Sequence, residues 1–100
     1  MTYDNVKIYV DDVRTVPHGF IGTKSVNETI ALIEEIEKNG GTIEEISLDH
    51  DLGDYAYDGG DAIKILDYLV ENEKFYPIAI HTANPVGRQN MERIIRRFWP

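Results

Sequence analysis

Apolar positions along the chain follow two rhythms, one of period two and one close to 3.6. In "VKIYV", residues 6–10, Val6, Ile8 and Val10 share one side of an extended strand, and Lys7 and Tyr9 the other. Residues 11–24 read as a loop punctuated by Pro17 and Gly19, with a short strand at "FIGT". Ser25 then stands as an N-cap, and Glu28 three residues on completes a capping box. Val26, Ile30, Ile33 and Ile36 recur at helical spacing until Gly40-Gly41 stop the helix. Residues 43–49 form the next strand, with Ile46 and Leu48 on one face. Ala62, Leu66, Leu69 and Val70 mark a second amphipathic helix, capped by Asp58 or Asp61. "YPIAIHT" is a further short strand. Met91, Ile94, Ile95 and Phe98 give a third helix its buried stripe, with Pro85 in its first turn and Asn84 as its cap.

Strands alternating with helices predict right-handed crossovers and a parallel sheet. The expected fold is a small α/β three-layer sandwich: a four-stranded, mostly parallel sheet of order 2-1-3-4 with helices on both faces. Such sheets bind ligands beyond the carboxyl ends of their strands. Three polar clusters fall at those ends: Asp11-Asp12, then Asp49-His50-Asp51, then "HTAN" from His81 to Asn84. Each is weak alone; their predicted shared edge makes them a site.

Chemistry follows from that placement. Asp11, Asp12 and Asp49 form a hard oxygen pocket suited to Mg²⁺ or Mn²⁺, and a divalent cation would cancel their repulsion. Asp51 either completes that metal shell or orients His50. His50 and His81 are the candidate proton handlers, because imidazole accepts and releases protons near neutral pH. Arg14, Asn84 and Arg88 are the candidate phosphate binders, the last two at the start of a helix whose amides favour anions. His18 reads as surface, and Arg93, Arg96 and Arg97 complement the dipole at a helix C-terminus. Tyr55 and Tyr57 cover a core edge or stack on a base as a mobile lid.

Totals bound the function. One hundred residues, 42% of them hydrophobic, fit one domain spanning 1–100. No apolar run is long enough to span a membrane, and no leader pattern opens the chain, so a cytoplasmic protein is expected. Without cysteine there are no disulfides or thiolate metal sites. A formal charge of −8 opposes nonspecific nucleic-acid binding and leaves room for a protein partner that supplies RNA affinity.

The arrangement "IYVDDVRTVPHG … EISLDHDLG … GGDAIKIL … IAIHTANPVGRQNM" resembles the cyclic-phosphate processing receiver-like domain family over nearly the whole chain. The matching positions are Asp11, Asp12 and Arg14, then Asp49, His50 and Asp51, then His81, Asn84, Gly87, Arg88 and Asn90. The resemblance implies a reduced, receiver-type Rossmannoid fold. It also implies processing of cyclic phosphates, with RNA ends among the targets. More broadly the chain is similar to response-regulator receivers. Asp49 stands at their phosphoacceptor position and Thr82 near their switch hydroxyl, but the last strand with its lysine and the final helix are lacking. The expected activity is metal-assisted hydrolysis of a 2′,3′-cyclic phosphate or related cyclic phosphodiester. A non-catalytic phosphate-end binding module and a stand-alone phosphoacceptor receiver are the alternatives.

Overall fold

The computed structural model describes residues 3–100. The first two, part of the N-terminal stretch read for a leader, lie outside them. The chain runs β1 (Val6–Val10), β2 (Phe20–Thr23), α1 (Val26–Lys38), β3 (Ile43–Leu48), α2 (Ile63–Glu71), β4 (Ile78–Ile80) and α3 (Pro85–Phe98). A 3-10 turn over Gly53–Tyr57 lies between β3 and α2. All three strand pairings are parallel, in the order β2-β1-β3-β4.

Ser25 accepts from the Glu28 amide at 3.1 Å and so caps α1. The Glu28 carboxylate reaches back to the Lys24 amide, one residue before the cap. Asn84 caps α3 through the Gly87 amide, with Pro85 at the first helical positions. The cap of α2 differs from expectation. Ala62 stands there without a side-chain bond. Asp61 accepts from the Leu52 amide, and Asp58 binds Ser25 and Asn27 at the start of α1. Asp58 ties the loop after β3 to α1, and Asp61 closes that loop on itself.

The helices occupy one face of the sheet, which corrects the three-layer expectation. The steps from β2 to β3 and from β3 to β4 run the same way across the sheet, so right-handed crossovers set α1 and α2 on the same side. The β1–β2 connection carries no helix, and α3 packs against α2. The core lies in that single interface: Ile8, Val10, Ile46 and Leu48 from the sheet meet Ile33, Ile36, Ile65, Leu66, Leu69 and Met91 from the helices. Burying each such side chain contributes roughly 1.5–3 kcal/mol. Val70 is half-buried and Ile65 takes its place in the stripe. Phe98 is exposed; Trp99 packs on the core instead and donates to the Tyr76 carbonyl at 2.8 Å.

The other sheet face carries Lys7, Tyr9 and Phe20, all half-buried. Tyr9 meets Phe20 edge-on at 5.8 Å, and Lys7 lies 4.9 Å from the Phe20 ring. No helix of the described residues is long and apolar enough to cross a membrane.

Candidate functional site

Parallel pairing brings the three predicted clusters to one edge. Asp11 follows β1, Asp49 follows β3 and His81 follows β4; the Asp49 amide donates to the Val10 carbonyl, and the His81 amide to that of Leu48. Ligand atoms of Asp11, Asp12 and Asp49 lie within 4.8 Å of one another. Asp11 is the anchor, with a side chain shut off from solvent. Its Oδ1 accepts from the amides of Val13 and Arg14, each at 2.9 Å, and its Oδ2 faces His81 Nε2 at 3.0 Å. Burial works to raise its pKa. The two amides and the imidazole together outweigh burial and hold the carboxyl below its ordinary range. Three carboxylates with oxygen-only donors and half-open access fit Mg²⁺ or Mn²⁺, which take carboxylate, water and phosphate oxygens.

Asp51 belongs elsewhere. Asp49 turns towards Asp11 and Asp12, whereas His50 and Asp51 turn towards each other. Asp51 joins His50 and Asp61 in a second group within 4.8 Å, apart from the acid trio. Its Oδ1 lies 2.8 Å from His50 Nδ1, and Asn84 Nδ2 donates to both its oxygens at 3.1 and 3.3 Å. The His50 contact, opposed by burial and aided by Asn84, holds the Asp51 carboxyl below its ordinary range. Asp51 therefore lies where a carboxylate can orient the His50 ring. The ring lies against the Gly87 backbone in the first turn of α3. His50 Nδ1 is engaged, whereas no described residue bonds its Nε2.

His81 is held at both nitrogens: Nδ1 lies 2.7 Å from Ser47 Oγ and Nε2 faces Asp11. Its ring stacks on Tyr9 at 4.2 Å with 4° between the planes.

The three phosphate-binding candidates separate. Arg14 donates through Nη1 to the His81 carbonyl and sets Nε 3.6 Å from Asp11, with its side chain 44% exposed, so it retains free donors at the edge. Asn84 is fully occupied by Asp51 and the Gly87 amide. Arg88 donates to the Ile80 carbonyl at 3.0 Å and lines the groove between β4 and α3. Of the loop tyrosines, Tyr55 packs against the core while Tyr57 is 85% exposed. His18 is exposed, as are Arg93, Arg96 and Arg97. Ser47 and Tyr9 escaped the sequence reading. Their only signal was their place on β3 and β1, and their cross-strand pairing becomes visible with the sheet register.

No curated protein and no solved structure matches the chain. The family described as "Cyclic-phosphate processing Receiver domain" matches residues 6–97, a span that includes every residue of the edge just described. The chain belongs to that family.

Proposed function

We propose that this chain is a metal-assisted phosphoesterase that opens a 2′,3′-cyclic phosphate or a related cyclic phosphodiester, with RNA ends among its substrates. The observation that carries this reading is the pairing, on one sheet edge, of an oxygen pocket with an imidazole braced by a carboxylate. Asp11, Asp12 and Asp49 would hold Mg²⁺ or Mn²⁺, and the cation supplies polarisation of the phosphoryl oxygens. His50 acts as the base. With Nδ1–H directed at Asp51, its free Nε2 takes a proton from the attacking water. The new P–O bond forms as one ring P–O bond breaks; the departing oxygen takes a proton from solvent water to become a hydroxyl, and the His50 imidazolium returns its proton to solvent. Arg14 offers its exposed guanidinium donors to the phosphate oxygens. Family membership supports the substrate class.

Melting in EDTA and across a Mn²⁺ titration, followed by hydrolysis of a 2′,3′-cyclic nucleotide, tests the proposal. Metal at ~100 times its Kd stabilises by about 2.7 kcal/mol. For a domain of this size that is a rise in Tm of roughly 10 °C or more. Asp49→Asn should abolish the rise and lower turnover by at least ~100-fold, the scale of a lost transition-state contact. Turnover that persists in EDTA sinks the metal-assisted reading. Saturable binding with no product makes the chain a binding module.

A further inference from the structure

His81 differs from His50 in having no nitrogen left for a substrate. An ionised carboxylate only accepts, so a neutral imidazole facing Asp11 Oδ2 must carry its hydrogen on Nε2. Nδ1 is then a bare acceptor, and the Ser47 hydroxyl donates to it at 2.7 Å. Ser47 is 6% exposed, which favours a fixed partner for that hydroxyl. The Tyr9 ring, parallel to the imidazole, fixes its tilt. Tyr9 and Ser47 are direct partners in the β1–β3 register, so the sheet itself sets their spacing. Arg14 adds a bond from the Asp11 loop to the His81 carbonyl.

We infer that Ser47, Tyr9 and His81 form a brace that holds the Asp11 carboxylate in its ligand orientation, with His81 acting through Asp11 and never on the phosphoryl group. All three are positioning residues. Oδ1 of Asp11 is pinned by two amides and Oδ2 by one imidazole N–H, so the carboxylate is fixed in rotation about its last bond. An outer partner of this kind typically changes metal affinity by roughly 10–100-fold. The inference rests on the reading that the acid trio holds a cation.

The test is Mn²⁺ affinity without substrate, from the electron paramagnetic resonance signal of free Mn²⁺. Ser47→Ala should weaken binding roughly 10–100-fold, and Tyr9→Leu should weaken it in the same direction. Ser47→Thr, which keeps the hydroxyl, should restore affinity close to wild type. In the metal-free wild type at mildly alkaline pH, ring ¹⁵N shifts should give His81 as the Nε2–H tautomer. Ser47→Ala that binds Mn²⁺ as tightly as wild type overturns the brace and leaves the cation reading standing. So does an Nδ1–H tautomer in the wild type. A wild-type chain that takes up no Mn²⁺ at millimolar concentration overturns the cation reading itself and this inference with it.

Discussion

A glycine sets the position of the proposed base. At Gly87 an added Cβ would lie 2.8 Å from both Cδ2 and Nδ1 of His50, atoms of a rigid ring that can only move as a whole. Gly87 also donates its amide to Asn84, whose other end holds Asp51, which in turn holds His50. The first turn of α3 and the imidazole thus fix each other in a closed loop. Gly87→Ala should displace the ring while favouring the helix by about 1 kcal/mol. A displacement of about 1 Å near the reacting atoms costs on the order of 10²-fold in rate. We expect kcat to fall by roughly that factor, with Mn²⁺ affinity unchanged and helical circular dichroism intact. Unaltered kcat would remove His50 from the base role. The site was legible in the sequence where a residue's place at a strand end fixes its neighbours: the carboxylates of Asp11, Asp12 and Asp49 gather at one edge, with His50 next to them in a separate group. It was illegible where side-chain direction decides. Asp51 is adjacent to the trio in sequence, yet it turns towards Asn84, and Ser47 looked ordinary until the sheet register set it beside His81.

At the scale of elements, β4 is three residues long and forms an edge of the sheet, and side chains from α3 and the residue after it reach that edge. The Pro77 carbonyl and the His81 amide bond to β3, so by alternation the carbonyls of Tyr76, just before Pro77, and of Ile80, just before His81, point outward. Trp99 Nε1 satisfies the first at 2.8 Å and Arg88 Nη2 the second at 3.0 Å. Arg88 is therefore a structural clasp at the rim of a groove of about 380 Å³. A hydrogen bond from a charged donor contributes about 1.5–3 kcal/mol. Arg88→Ala should lower Tm by roughly 6 °C or more and, by uncovering a strand edge, favour self-association visible in sedimentation velocity. A raised KM with unchanged Tm would return Arg88 to phosphate binding. The fold was legible through its periodicities: alternation in β1, helical spacing in α1 and the Asn84-Pro85 start of α3. The terminal stripe misled because Phe98 has the right spacing, but Trp99 reaches an acceptor as well as the core. The helix layer on the far face was misplaced although residues 11–24 already read as a loop: without a helix between β1 and β2, the two remaining crossovers run the same way across the sheet and fill one face only.

Viewed whole, the molecule separates chemistry from cohesion at opposite ends of the sheet. The acids gather where the strands end, whereas a polar network ties the other end, linking α1, α2 and the segment before β4. Glu37 accepts from Lys74 Nζ at 2.7 Å and from the Tyr76 hydroxyl. Lys74 also donates to the Tyr68 hydroxyl at 2.8 Å, and Tyr68 in turn to Glu34 at 3.3 Å. Burial works to raise Glu37, but Lys74 and Tyr76 outweigh it and hold the carboxyl below its ordinary range. Burial and the Glu37 carboxylate push Tyr76 up to about 12 from its ordinary 10.0. The two shifts act at opposite ends of the pH scale. A depressed carboxyl stabilises the fold above its unfolded pKa, and that contribution fades as pH falls through the folded value. A raised phenol stabilises the fold below its unfolded pKa, and that contribution is lost as pH climbs from about 10 towards 12. The network should therefore contribute fully between about pH 5 and 10 and weaken on both sides. Glu37→Gln removes the depressed carboxyl itself and the part of the Tyr76 shift that adds to burial, while keeping the size of the side chain. We expect it to lower Tm near pH 7 by roughly 5–10 °C, the effect of losing about 1–2 kcal/mol. Its Tm should also change less than wild type's on moving from pH 7 to 4 and from pH 9 to 11. Parallel Tm–pH curves for the two proteins would show that the network is solvated and contributes nothing to folding.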